Sequence, residues 1–137
     1  MKKVFLFSII ILCGIVKISA QDAAADAVIG YYFCVDPFTG EESQNYIYKA
    51  ADGTYQGKVV WVKNPKLEHH VGLIFLKNLK YNEEDNEWQN GTLIYPGKKG
   101  SYKTYMSLSG NTLKVRGYWG FALLGKTVYW TKESKQR

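Results

Sequence analysis

The sequence predicts an all-β fold, a small antiparallel up-and-down β-barrel of about eight strands. Three observations carry this. Runs in which large apolar and polar side chains alternate recur along the chain, which is the period of a half-buried strand. Short breaks rich in Gly, Asn, Asp and Pro separate them, and no segment sustains a helical period. The last third, Ser101 to Lys132, is the clearest case: three alternating runs, split by Ser109-Gly110-Asn111 and by the Gly-bounded loop Gly120 to Gly125. A barrel suits such strands because closure leaves no long apolar edge exposed; a flat sandwich is the alternative.

Met1 to Ala20 stands apart. Lys2 and Lys3 precede a nearly unbroken apolar run, Val4 to Val16, and Ile18-Ser19-Ala20 ends in small residues. The run is short for a membrane span of about 20 residues, so a cleaved secretory signal is expected. The cut is placed near Ala20, with Ala23-Ala24-Ala25 as a later option. Residues 21–27 are then a flexible N-terminal segment and 28–133 the barrel domain, secreted or periplasmic, with no membrane span after cleavage. Lys2, Lys3 and Lys17 leave with the signal, so the net charge falls from +6 to +3, a modest value that does not point to nucleic acid. Cys13 leaves too, so Cys34 is alone and no internal disulfide can form; a small buried hydrophobe is its expected role.

The strands follow in order. Val28 to Val35 is apolar on both faces, as expected for a strand that begins a closed barrel, and Asp36 to Gly40 is a Pro-Gly turn. Gln44 to Lys49 and Thr54 to Lys63 flank the Asp52-Gly53 hairpin turn. Asn64 to His70 reads as a loop, Gly72 to Tyr81 as a strand of weak alternation, and Asn82 to Glu87 as a solvated tip. Trp88 to Tyr95 is a strand with a plausible bulge at Asn90-Gly91. Pro96 to Gly100 turns the chain into the closing three strands.

Catalytic signatures are missing. The chain has no G-x-S-x-G, H-E-x-x-H or phosphate loop, so no catalytic residue and no cofactor is expected. His69 and His70 are adjacent, which in an extended chain sends them to opposite faces and disfavours a shared metal; no metal site is expected. The acids of Asn82 to Glu87 lack the order of a calcium loop. Asn90-Gly91-Thr92 matches a glycosylation sequon.

Binding is better supported. Parity turns inward Gly30, Tyr32 and Cys34; Tyr55, Gly57, Val59 and Trp61; Tyr102, Thr104, Met106 and Leu108; Leu113, Val115, Gly117 and Trp119; and Val128 with Trp130, leaving Arg116 outside. Barrels of about eight strands either fill with side chains or enclose one small ligand. The expected ligand-binding residues are Tyr32, Tyr55, Trp61, Tyr102, Met106, Trp119 and Trp130, around a small apolar or amphipathic molecule. The alternative is a filled barrel that acts through its surface, as an envelope or extracellular interaction module. Phe121, Leu123 and Leu124 form an apolar tip, expected as a lid over one mouth or as a contact with a partner or a second copy.

Five segments together resemble an exported bacterial family, domain-of-unknown-function family 2147, over about Gly30 to Lys132. They are Gly30-Tyr31-Tyr32, Tyr55-x-Gly57-Lys58-Val59-Val60-Trp61, Trp88-x-x-Gly91-Thr92-Leu93-Ile94-Tyr95-Pro96, Leu113 through Gly120, and Leu124-Gly125-Lys126-Thr127-x-x-Trp130-Thr131-Lys132. The resemblance implies a lipocalin-like barrel of the calycin type and a small apolar or amphipathic ligand, with no established activity. Similar barrels begin Gly-x-Trp and close with an Arg beneath that Trp; this chain has Tyr32 and Lys132 there.

Overall fold

The computed structural model describes residues 20–96, 99–119 and 125–137. These form a closed barrel of eight antiparallel strands in sequence order. The strands are β1 (Gly30–Val35), β2 (Glu42–Lys49), β3 (Tyr55–Val62), β4 (Ile74–Asn82), β5 (Glu87–Leu93), β6 (Tyr102–Ser109), β7 (Thr112–Tyr118) and β8 (Gly125–Glu133). β8 returns to β1 in the register Tyr31↔Glu133 to Phe33↔Thr131, which closes the ring. The up-and-down barrel expected from the alternation is therefore the fold. The Asn64–His70 segment, expected as a loop, carries a 3₁₀ helix, Pro65–His70, with Asn64 Oδ1 capping the Lys66 amide. Its turn puts the His69 and His70 rings 4.4 Å apart in edge contact rather than on opposite faces.

The N-terminal segment carries structure of its own. Ala20–Asp26 is a short helix, α1, that lies over one end of the barrel. Three aromatic side chains rise from the interior to hold it and the turn that follows. Trp88 Nε1 donates to the Ala25 carbonyl at 3.0 Å, Tyr55 Oη to Asp26 Oδ1 at 2.6 Å, and Tyr32 Oη to the Val28 carbonyl at 2.8 Å. Each ring is buried whole and each polar tip needs a partner, since a buried unpaired donor costs about 1–3 kcal/mol. Lys132 completes this base. Its Nζ donates to the Ala27 carbonyl at 2.9 Å and lies 5.9 Å from the centre of the Tyr32 ring. Gly30 makes room for it: a Cβ there would stand 2.8 Å from Lys132 Cε.

Register shifts decide which side chains face inward. In β3, Trp61 pairs with Gln44 while Val59 pairs with Asn45, so Val60 is an extra residue. Val59 and Val62 both turn in as a result, and Trp61 turns out. In β4 and β5, Asn78 (φ 64°) and Asn90 (φ 63°) take the left-handed conformation that Asn tolerates. Pairs three residues apart, Leu76 with Leu79 and Trp88 with Gly91, thereby share the inner face, which explains the weak alternation of β4. Gly91 has no alternative, because a Cβ would lie 2.6 Å from Leu79 and 2.7 Å from Thr104.

The outward Trp61 is covered by the chain's end. The Arg137 guanidinium lies 4.9 Å from the Trp61 ring and 4.6 Å from the Phe33 ring, and it pairs with Glu133 at 2.8 Å. Gln44, fully buried, accepts from the Arg137 amide and donates to Glu133 and to the Lys135 carbonyl.

Tyr55→Phe deletes one of the three bonds to the base. The Asp26 carboxylate is 43% exposed, so solvent screening reduces the loss to about 1 kcal/mol. The Tyr55 hydroxyl, more than the neighbouring Lys49, holds the Asp26 carboxyl below its ordinary value of 3.8. A depressed folded value contributes stability above the unfolded value and loses it as pH falls through the folded one. Urea midpoints are expected to separate wild type from Tyr55→Phe at pH 7 and to converge as the pH falls below 3.8 and through the lowered folded value.

Candidate functional site

The barrel is full at the α1 end and hollow at the other. The filled half holds Tyr32, Ile47, Tyr55, Leu76, Leu79, Trp88, Met106 and Leu113, all 2% exposed or less. Beyond them the inward residues shrink to Cys34, Ser43, Asn45, Val59, Val62, Val115, Gly117 and Val128, which line a cavity of about 820 Å³. Trp130 and Phe75, with ring centres 6.1 Å apart, line it next to the filled half, since Trp130 also lies 6.4 Å from Tyr32. The volume lies within the range of about 300–1,000 Å³ common to small-molecule sites.

The wall is uneven in chemistry. On β1 and β2 it is polar: the Cys34 thiol meets Ser43 Oγ at 3.0 Å, and Asn45 Nδ2 donates to Cys34 Sγ at 3.3 Å. These three residues are neighbours because Cys34 pairs with Ser43 and Asn45 follows on the same face. Val59, Val62, Phe75, Leu93, Val115 and Val128, from five other strands, make the rest largely apolar. Burial raises the Cys34 thiol above its ordinary value of 9.0, an effect that the bonds from Ser43 and Asn45 only partly offset.

Ionisable groups lie at the mouth. Asp36 Oδ1 accepts from the Phe38 amide at 2.7 Å and the Thr39 amide at 3.1 Å, while Oδ2 accepts a short bond from Tyr95 Oη. Tyr95 follows β5, across the ring from β1, so this bond spans the opening. The Tyr95 hydroxyl is pushed well above its ordinary value of 10.0, by burial first and by Asp36 second. Phe38 meets the Tyr95 ring edge-on at 5.7 Å, and Lys126 Nζ sits 5.5 Å from the Phe38 ring centre. Glu41, Glu42 and His70 complete the charged or titratable rim.

The seven residues expected to line a site are scattered by this arrangement. Tyr102 and Trp130 line the cavity. Tyr32, Tyr55 and Met106 face inward but lie in the filled half, as packing and as anchors for the base. Two expectations need correction. Trp61 faces out because the β3 bulge reverses its parity, and Trp119 is 73% exposed because β7 ends at Tyr118. The expected lid, Phe121, Leu123 and Leu124, lies outside the described residues; the strand ends it joins, Tyr118 and Gly125, are on the mouth side. Arg116 faces out, with Nη1 donating to Thr127 Oγ1 at 2.8 Å. No three His, Cys, Asp or Glu side chains converge on a metal-sized site among the described residues. No helix among them is long and apolar enough to cross a membrane.

Sequence reasoning passed over the residues that make the hollow half. The alternation puts Cys34, Val59, Val115 and Val128 on inward positions, whereas the expected lining consists mainly of large aromatics. A large inward ring fills space, and a cavity opens where the inward residues are small. The usable signal was Ser43, Asn45, Ile47 alternating with Gln44, Tyr46, Tyr48 in β2.

A closed eight-strand barrel, capped at one end and open to an internal cavity at the other, defines the class of lipocalin-like proteins. The chain belongs to the bacterial family DUF2147, described as an uncharacterized protein conserved in bacteria, whose model matches residues 30–132. Among solved structures, protein HP1028 from Helicobacter pylori, described as belonging to the lipocalin family, superposes with a TM-score of 0.65 at 18% identity. The match covers 78% of this chain and 83% of that one, and at this identity it speaks for the fold. No curated protein matches the chain.

The raised thiol of Cys34 has a measurable consequence. At pH 8 its thiolate fraction is low, so alkylation by iodoacetamide is expected to run at least about ten-fold slower in the native protein than in urea. An equal rate would place the thiol outside the wall described.

Proposed function

We propose that this protein is a binding barrel that holds one small, largely apolar molecule in its open half. The observation that carries the reading is the division of the barrel. Large rings and Leu side chains pack one half solid, while Val, Gly, Ser, Asn and Cys leave the other hollow. Uniform packing would have been the more stable use of the same interior, because unfilled space forfeits dispersion contacts. Exposed apolar side chains also gather at the mouth, among them Val35 (48%), Phe38 (59%) and Ile94 (37%), where an apolar molecule would enter. The lipocalin-like fold supports the reading by analogy.

N-phenylnaphthylamine, a neutral apolar dye, is expected to brighten and saturate at one molecule per barrel in the micromolar range. Val128→Trp and Val115→Trp, each placing a ring in the hollow half, are expected to weaken the dye at least about ten-fold without lowering the urea midpoint. A dye that stays dark with the wild-type protein would turn the reading to the filled barrel acting through its surface.

Export belongs to the same proposal. The basic, apolar and small-residue stretch of residues 1–20 supports a cleaved signal, and the contacts of Ala25 and Asp26 favour a cut before them. Mass spectrometry of protein recovered outside the cytoplasm is expected to find an N-terminus near Gln21; a chain that still carries Met1 to Ala20 would count against export.

A further inference from the structure

From the chemistry of the wall, we infer that the cavity selects uncharged amphiphiles whose hydrogen-bonding head docks on Asn45, Ser43 and Cys34 of the β1–β2 wall. This rests on the binding reading above and specifies its ligand. Asn45 is the centre of the argument. It is 2% exposed and borders the cavity, yet among the described residues its side chain makes one hydrogen bond, from Nδ2 to a sulfur atom. A carboxamide offers two N–H donors and a carbonyl oxygen, and sulfur is a weak acceptor. The Asn45 carbonyl and a second N–H therefore remain for a molecule in the cavity. An amide short of partners on the wall of a cavity favours a head that completes it.

The same wall disfavours a carboxylate head. Its three polar groups are an amide, a hydroxyl and a thiol that burial keeps protonated. None carries a positive charge, and an unpaired anion in an apolar chamber is strongly disfavoured. The rim adds negative charge through Asp36 and Glu41, Glu42 being paired with Lys63 at 2.8 Å. Its lysine, Lys126, is turned onto the Phe38 ring, and Arg116 is outside the barrel on Thr127. An alcohol or primary amide head supplies a donor and an acceptor with no charge to desolvate, and its alkyl part meets Val115, Val128 and Trp130.

Competition against bound N-phenylnaphthylamine at pH 8 tests this with three ligands of one chain length: decanol, decanamide and decanoate. Decanol and decanamide are expected to displace the dye at concentrations at least about ten-fold below decanoate, a difference of about 1.4 kcal/mol. Asn45→Leu, close in shape but unable to hydrogen-bond, is expected to shrink that preference, read as the ratio of decanoate to decanol needed to displace the dye from the same variant, to less than about three-fold. Ser43→Ala combined with Cys34→Ala keeps the amide but takes away the hydroxyl and the sulfur partner of Asn45 Nδ2, and is expected to reduce the preference in the same direction. If decanoate competes as well as decanol, or if both variants keep the full preference, the assignment is overturned while the cavity stands. A dye that never binds overturns the cavity reading and this assignment together.

Discussion

Three hydrogen bonds inside the base of the barrel set up everything above them. Trp88, Tyr55 and Tyr32 each bring a large ring into the core and carry a polar tip that bonds to the segment over the base. The tips converge on residues 25–28, so the segment that covers the base is the one that satisfies them. Polar satisfaction and core filling are one act here. With the base sealed in this way, the rings beneath cannot rise into the upper half, and the smaller residues above them border empty space.

Bulges then apportion the interior. A strict two-residue period along β3 would bring Trp61 inside. The extra residue at Val60 instead sends Trp61 out to stack under Arg137 and brings Val62 in. Asn78 and Asn90 act in the opposite sense in β4 and β5, crowding Leu76, Leu79 and Trp88 into the filled half. A register shift moves every following side chain to the other face, so one residue at the right place changes a solid core into a hollow one. The cavity is in this sense a product of backbone irregularities as much as of side-chain size.

The hollow half has a direction as well as a volume. Polar groups stand on one wall, apolar groups around it and acids on the rim. Cys34 takes part as an uncharged hydrogen-bonding group, its thiol held protonated by burial. The Asp36–Tyr95 bond over the mouth ties the β1–β2 turn to the far side of the barrel and narrows the way in.

Much of the architecture was legible in the chain. Alternation located the strands, Gly-Asn and Asp-Gly pairs located hairpins, and the inward parity of β1, β6, β7 and β8 holds for Tyr32, Met106, Leu113, Val115 and Trp130. These are local properties, written in neighbouring residues and the pleat that alternates them. The site was much less legible. Whether Trp61 lies inside depends on its pairing with Gln44, a residue of another strand, and on the Arg137 guanidinium from the chain's other end. Whether an inward Val borders a void or a ring depends on what the seven other strands place at the same height. By itself, then, the sequence determined a closed barrel of alternating strands with an aromatic interior. Only the tertiary structure decided that the aromatics fill one half, that small residues hollow the other, and that a polar wall faces the space, because height within a barrel is set by register between strands and no period along one strand records it.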